Sequence, residues 1–237
     1  MVTPGYADDQ ESATARLEMA LASESRSERD RDRDAGRKPA QILEFLGIGS
    51  GMTVVDLYAA GGFYTEVLSL AVGNEGKVYA QNPARMLQFR DGANEKEISA
   101  RLADGRLANV ERLNKEIAGM GLEENSIDAV VTALNFHDIY NGAGPDAALA
   151  SSKIVFSILK PNGVFGVIDH QGNSGNDNAS LHRIEIALVV ETLEKAGFNI
   201  EQSELLNNPD DSRNKKVFDP SIRGKTDRFL ILARKPG

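Results

Sequence analysis

The chain has 237 residues, 41% of them hydrophobic, which suits one substantial α/β domain and is too short for two comfortable ones. Its net charge of −8 excludes a general nucleic-acid binder, whose phosphate contacts need clustered Lys and Arg. The absence of cysteine excludes disulfides, thiolate metal sites and cysteine nucleophiles.

No apolar run approaches the roughly 18 residues of a membrane span. The N-terminus M-V-T-P-G-Y-A-D-D-Q lacks the charged-then-apolar layout of a signal peptide. A cytoplasmic protein with no membrane or nucleic-acid partner is expected, unless an export signal has been removed; on oligomeric state the sequence is silent, and a homodimer stays open.

Residues 11–22 favour a helix anchored by Leu17, Met19 and Leu21. Ser23–Lys38 is dense in charge of both signs and reads as a solvated helix or linker laced with ion pairs. Pro39 opens a short helix whose stripe is Ile42, Leu43, Phe45 and Leu46, ended by G-I-G-S-G-M. The chain therefore divides into an N-terminal helical lid or extension, 1–46, and a main domain, 47–237.

From Thr53 strands and helices alternate. Strands are expected over Thr53–Leu57, Lys77–Gln81, Val110–Leu113, Ile127–Leu134, Val164–Ile168, Asn199–Leu205 and Arg228–Ala233. Helices are expected over Thr65–Ala71, Pro83–Arg90, Asn94–Leu102, Pro145–Leu159 and Leu181–Ala196, the last closed by Gly197. This alternation predicts a mainly parallel sheet covered on both faces.

Ligands of such sheets bind beyond the carboxyl ends of the strands. The rule selects Tyr58–Gly62 after the first strand, Asn82 and Pro83 after the second, Asn135–Asp138 after the fourth, and Asp169–His170 after the fifth. Two of the three histidines, His137 and His170, stand at strand ends. The third, His182, falls in the first turn of the helix after the Asn- and Gly-rich loop, on the same side of the sheet. His137, with Asp138 beside it, is the better candidate for proton transfer. His137, His170 and Asp169 have suitable ligand types for a metal, but no tight spacing supports one, and no metal is predicted.

The turn D-L-Y-A-A-G-G keeps glycine only at its last two positions. A P-loop is absent, since there is no G-K-[ST]. Tyr58 and Ala60 count against a dinucleotide pyrophosphate, and so against an NAD-type oxidoreductase. A ligand without phosphate tolerates more bulk there.

Val54–Gly62, the strand pattern and Leu159–Asp169 resemble class I (Rossmann-like) S-adenosylmethionine (SAM)-dependent methyltransferases. The span from Arg37 to Pro236 more closely resembles a family of predicted methyltransferases of unassigned substrate, through G-G-F-Y-T-E (Gly61–Glu66), V-Y-A-Q-N-P (Val78–Pro83), N-F-H-D (Asn135–Asp138), L-H-R-I (Leu181–Ile184) and V-F-D-P-S-I-R-G-K-T-D (Val217–Asp227). The resemblance implies a seven-stranded, mostly parallel sheet with an antiparallel last strand. It also implies SAM as cofactor, held by Asp56, Tyr58, Ala60, Gly61, Gly62, Tyr64, Asn82, Asn114 and Asn135. Asn82 takes the place where such proteins usually carry an acidic residue for the ribose.

The segment Leu206–Thr226 must lie at the site mouth, and its basic residues point to an anionic group on substrate or cofactor. The expected enzyme methylates an O or N nucleophile of a small, possibly anionic, molecule. His137 would act as base with Asp138 as partner and His170 lining the acceptor pocket; His182, Arg183, Arg213, Arg223 and Lys225 would contact substrate. The alternative is a non-catalytic protein of the same fold with a degenerate cofactor turn.

Overall fold

The computed structural model describes residues 5–237, with side chains from Ala13 onward. Residues 1–4 of the expected N-terminal region, and with them the start of the stretch weighed as a signal peptide, lie outside the described residues.

Seven strands form one sheet in the order β3-β2-β1-β4-β5-β7-β6. They are β1 (Thr53–Leu57), β2 (Lys77–Gln81), β3 (Val110–Leu113), β4 (Ile127–Ala133), β5 (Leu159–His170), β6 (Asn199–Ser203) and β7 (Arg228–Arg234). All neighbours are parallel except β7, which runs antiparallel to both β5 and β6. The expected topology stands.

Both faces are buried, so the central strands are apolar at successive positions, which now divide by parity. Val54, Ala129, Val131, Val164, Ile168, Leu230 and Leu232 pack with α1 (Gly5–Leu21), α3 (Pro39–Leu46) and α4 (Phe63–Val72). Val55, Leu57, Val130, Phe165, Val167 and Ile231 pack with α7 (Pro145–Ile158) and α9 (Ile186–Ala196). At Gly166 an added Cβ would lie 2.5 Å from Leu46 Cδ1, so α3 sits directly on the sheet. On base area accounting, each fully buried Leu or Ile of that stripe contributes about 1.5–3 kcal/mol.

Four expectations about local structure need correction. The charged segment 23–38 contains α2 (Glu28–Arg37), but it is not a freely solvated helix: Arg26 and Asp30 are buried. The segment after β4 is not a loop but α6 (Phe136–Ala143), because the Asp169 carboxylate accepts the His137 N–H at 2.7 Å and caps its first turn. β5 begins at Leu159 rather than Val164, pairing Leu159 with Ile127 across a register shift. The long helix 181–196 is broken into α8 (Asn178–Leu181) and α9. Backbone groups between them bond to the end of β5 instead, Ile184 N–H to His170 O at 3.0 Å and Gly172 N–H to Ile184 O at 2.9 Å. His182 thus caps a short helix with φ 55° rather than opening a long one.

The helix α5 (Ala84–Leu102) likewise breaks at Phe89–Gly92, as the gap between the two expected helices implied.

Candidate active site

The order of strands turns back between β1 and β4, and a crevice opens there at their carboxyl ends. β1 runs into a turn in which Tyr58 (φ 56°), Ala60 (φ 49°) and Gly62 (φ 84°) are all left-handed. For the two side-chain-bearing residues this conformation costs about 1–3 kcal/mol each. β2 supplies the compensation. Tyr58 N–H donates to Gln81 Oε1 (3.0 Å), Ala59 N–H to the Gln81 carbonyl (2.9 Å) and Ala60 N–H to Asn82 Oδ1 (2.8 Å), while Asn82 Nδ2 donates back to Ala60 O (3.2 Å).

Asn82 is wholly buried, with both ends of its amide engaged by the turn. The expectation that it contacts a cofactor is therefore corrected: it fixes the turn on which a ligand would rest. Asn135 does similar work, donating to Tyr58 O (3.2 Å) and Ala133 O (2.7 Å), which ties the ends of β1 and β4 together. Its flank still lines the crevice. Asn114 is exposed beyond β3 and is not among the lining residues of that crevice.

The crevice is a cavity of about 280 Å³ lined by Asp56, Ala60, Gly61, Phe63, Tyr64 and Asn135, among others. Asp56 accepts a 2.6 Å bond from Thr65 Oγ1, and burial pushes its carboxyl up to about 7. Burial also pushes the Tyr64 phenol up. Over Gly61 stands a side chain from α5: a Cβ there would lie 2.2 Å from Glu97 Oε2. Glu97 is paired with Arg29 at 2.6 Å.

The outer wall is α2, whose Arg29, Arg33 and Arg37 all face the cavity. Arg37 and Arg33 hold their guanidinium carbons 4.2 and 4.9 Å from the Phe63 ring centre. The Nε of Arg33 is buried without a hydrogen-bond partner. Arg37 is pushed down to about 10 by burial and by the charges of Arg33 and Arg228, yet it stays charged at neutral pH. Guanidinium groups such as that of Arg37, partly withdrawn from solvent at a cavity wall, have the chemistry to meet an anion.

Behind this wall a buried ionic network fastens α2 down. Glu66 of α4 meets Arg101, and Arg106 at 2.5 Å; Asp30 meets Arg33, and Arg101 at 2.7 Å.

On the other side of Asn135 the three histidines converge. The His137 ring lies 6.1 Å from that of His170 and 5.6 Å from that of His182. His137 Nδ1 donates to Asp169 Oδ1 at 2.7 Å, and its Nε2 lies 3.3 Å from Asp138 Oδ1. Burial alone would lower its pKa, but the charges and hydrogen bonds of Asp169 and Asp138 outweigh that and lift it to about 10. With a carboxylate at each ring nitrogen, His137 is held toward the imidazolium form, which runs against the expected role of general base. His170 is the reverse: burial and the cations at His137, Arg228, Arg183 and Arg37 keep it neutral. Its Nδ1 shares a 2.8 Å hydrogen bond with Thr226 Oγ1. Asp138 is half-exposed; burial is outweighed by bonds from His137 and His182, which keep it ionised.

No protein-family model matches the chain, and no curated protein matches it. Solved structures do. A SAM-dependent methyltransferase from Aquifex aeolicus superposes with a TM-score of 0.64 at 22% identity, covering 93% of this chain and 97% of its own. A putative methyltransferase from Haloferax volcanii, solved in complex with the Trm112 methyltransferase activator, gives 0.61 at 16% identity over 95% and 98%. The [4+2]-cyclase SpnF gives 0.59 at 15% identity over 85% and 82%. The fold is that of the class I methyltransferases.

Within this methyltransferase fold the segment 206–226 sits at the mouth of the histidine side, where Phe218 of the segment lies 5.0 Å from the His182 ring. Two of the expected substrate contacts, Arg183 from outside the segment and Arg213 within it, are spent on holding it. Arg183 is fully buried and binds the carbonyls of Lys215 (3.1 Å) and Gln171 (3.0 Å) and the carboxylate of Asp211 (2.9 Å). Arg213 pairs with Asp227 at 2.7 Å. Both are corrected from substrate contacts to anchors, while Arg223 and Lys225 remain exposed.

The arginine wall is what the sequence reading missed. Arg29, Arg33 and Arg37 recur every four residues and so share one face of a helix, a signal present in the sequence but masked by the alternating acids.

Proposed function

We propose that the protein is a SAM-dependent methyltransferase acting on an O or N nucleophile of a small, anionic molecule. One observation carries the reading: the cavity at the β1/β4 switch point joins Gly61 of the turn to a wall of three arginines, Arg29, Arg33 and Arg37, of which Arg37 is the most desolvated. A methionine-bearing cofactor needs both, because its carboxylate must find a cation and its chain must lie against open backbone. Gly61, Gly62, Asp56 and Tyr64 would hold SAM, with Arg33 and Arg37 on its carboxylate. When bound, SAM supplies an electrophilic methyl group.

The acceptor would lie toward the histidine cluster, where alignment and exclusion of water supply most of the catalysis. His170, the neutral imidazole, takes the acceptor proton, with its ring orientation fixed by Thr226. His137 keeps the role of a fixed cation that orients Asp138 and favours an anionic acceptor. Of the helices up to Leu46, α1 and α3 pack into the core and α2 covers the cavity as a fixed wall, and Arg223 and Lys225 meet the acceptor's charge as it enters.

SAM and S-adenosylhomocysteine are expected to raise the melting temperature of the protein. The shift should survive His170→Gln while turnover is lost. Absence of any shift at millimolar cofactor would sink the reading.

A second reading rests on Glu97. Its carboxylate covers Gly61, and a protein that kept this geometry with ligand present would not place SAM on the turn. Such a protein would bind another small anion without methyl transfer. Binding of S-adenosylhomocysteine separates the two.

A further inference from the structure

His182 has a backbone conformation that non-glycine residues rarely adopt, and its side chain is turned toward Asp138. The left-handed φ of 55° is held by His182 N–H donating to Ala179 O (3.2 Å) and by the next residue, Arg183, whose N–H donates to Asn178 O (2.9 Å) and whose side chain is locked to the segment 206–226. The result is that His182 Nδ1 stands 3.6 Å from Asp138 Oδ1, and His137 Nε2 stands 3.3 Å from the same oxygen.

We propose that His137 Nε2, Asp138 Oδ1 and His182 Nδ1 form a binding site for a divalent first-row transition cation of the zinc type. Bonds of about 2.0–2.2 Å to nitrogen and oxygen in a tetrahedral site place neighbouring ligand atoms roughly 3.3–3.6 Å apart. Two of the three separations already have these values, and one ligand atom from each of the three residues lies within 4.8 Å of those of the other two. The outer shell is also present. His137 donates its other ring nitrogen to Asp169, which is fully buried and holds the ring from behind; this carboxylate–histidine arrangement orients a metal-binding imidazole.

Ligand chemistry sets the class of ion. Two imidazoles and one carboxylate suit zinc, cobalt, nickel, iron or manganese better than calcium or magnesium, which favour all-oxygen sets. Three protein ligands leave at least one coordination position open. His182 and Asp138 are partly exposed, so ion and ligand reach the site from solvent; Phe218 lines the approach. A dication here satisfies the Asp138 charge that otherwise faces His137, and its binding displaces a proton from that ring. The inference does not depend on methyl transfer: the ion binds whether or not SAM does.

The test uses tag-free protein, because the chain has only three histidines and no cysteine, which leaves few other places for such an ion. Titration with Co²⁺, read by visible absorption and by calorimetry, should show one equivalent bound in a nitrogen–oxygen environment, displaced by Zn²⁺. His182→Ala and Asp138→Asn alter partly exposed side chains and should keep the circular dichroism spectrum. Each is expected to weaken Co²⁺ binding by at least about tenfold, the lower end of what loss of even an outer-shell partner costs. Folded variants that bind Co²⁺ as tightly as the parent, or a parent that binds none, would overturn the site. SAM binding measured on the same samples reports on the methyltransferase reading separately.

Discussion

The two sides of the carboxyl edge handle charge in opposite ways. On the side of the β1–α4 turn, charges are numerous but mostly cancelled inside the protein: Glu66, Asp30, Arg26, Arg101 and Arg106 form one buried cluster that clamps α2. What it leaves facing the cavity is a row of guanidinium groups with one orphaned Nε. On the histidine side the charges are fewer, and Asp138 and His182 turn their ligand atoms toward each other and toward solvent. On the proposed function, the first arrangement receives an anion on a rigid wall, and the second presents a small set of donors and acceptors to what arrives.

The comparison is broken most severely at Glu66. Glu66→Ala removes the shared partner of the buried Arg26 and Arg101 and of the partly exposed Arg106, leaving Arg26 only Asp34 and Arg101 only Asp30, and breaking a buried pair by removing one partner costs about 3–5 kcal/mol. Urea unfolding should show that loss, with cofactor binding failing alongside because α2 is no longer held. A loss below about 1 kcal/mol would mean that the cluster is solvated and weak, as exposed pairs are. The next effect falls on the ligand. Arg37→Leu removes a guanidinium stacked on Phe63, and charged hydrogen bonds worth about 1.5–3 kcal/mol translate into roughly a 10- to 100-fold rise in the SAM dissociation constant. Calorimetry checks it; unchanged affinity would remove the anion from this wall.

Much of this contrast could be read from the sequence, and the rest could not for identifiable reasons. The strand boundaries of β1, β2 and β3 follow from short apolar runs bounded by turn residues, and they match residue for residue. The convergence of three histidines followed from the rule that parallel sheets bind at their carboxyl ends. Their protonation did not follow, since it depends on Asp169, which lies 32 residues from His137 and caps α6 only once β4 and β5 are paired. Asn82 and Asn135 read as ligand contacts because an amide at a strand end can face either way; backbone strain at Tyr58 and Ala60 decided that they face the turn. Arg183 was misread for the same reason: its partners, Lys215 O and Asp211, come from a segment without periodic pattern.

The smallest expected effect is the most specific test of how the histidine side works. If His170 takes the acceptor proton, it must be neutral to act, and burial together with the cations at His137, Arg228, Arg183 and Arg37 holds it neutral. Its pKa therefore lies well below the usual 6.5, and the rate should stay level as pH falls through the ordinary histidine range, dropping only at distinctly lower pH. A His137 base would behave differently, because that ring keeps its proton up to about 10 and activity would climb steadily through neutral and alkaline pH. The carboxylate of Asp56, pushed up to about 7, belongs to the other side and is separated from these cases by its own variant, Asp56→Asn, which should leave the acid limb where it is. Thr226→Val sharpens the distinction. It removes the hydroxyl that fixes the His170 ring, so it should lower kcat with little change in KM for SAM, whereas a purely structural Thr226 would lower stability and leave kcat intact.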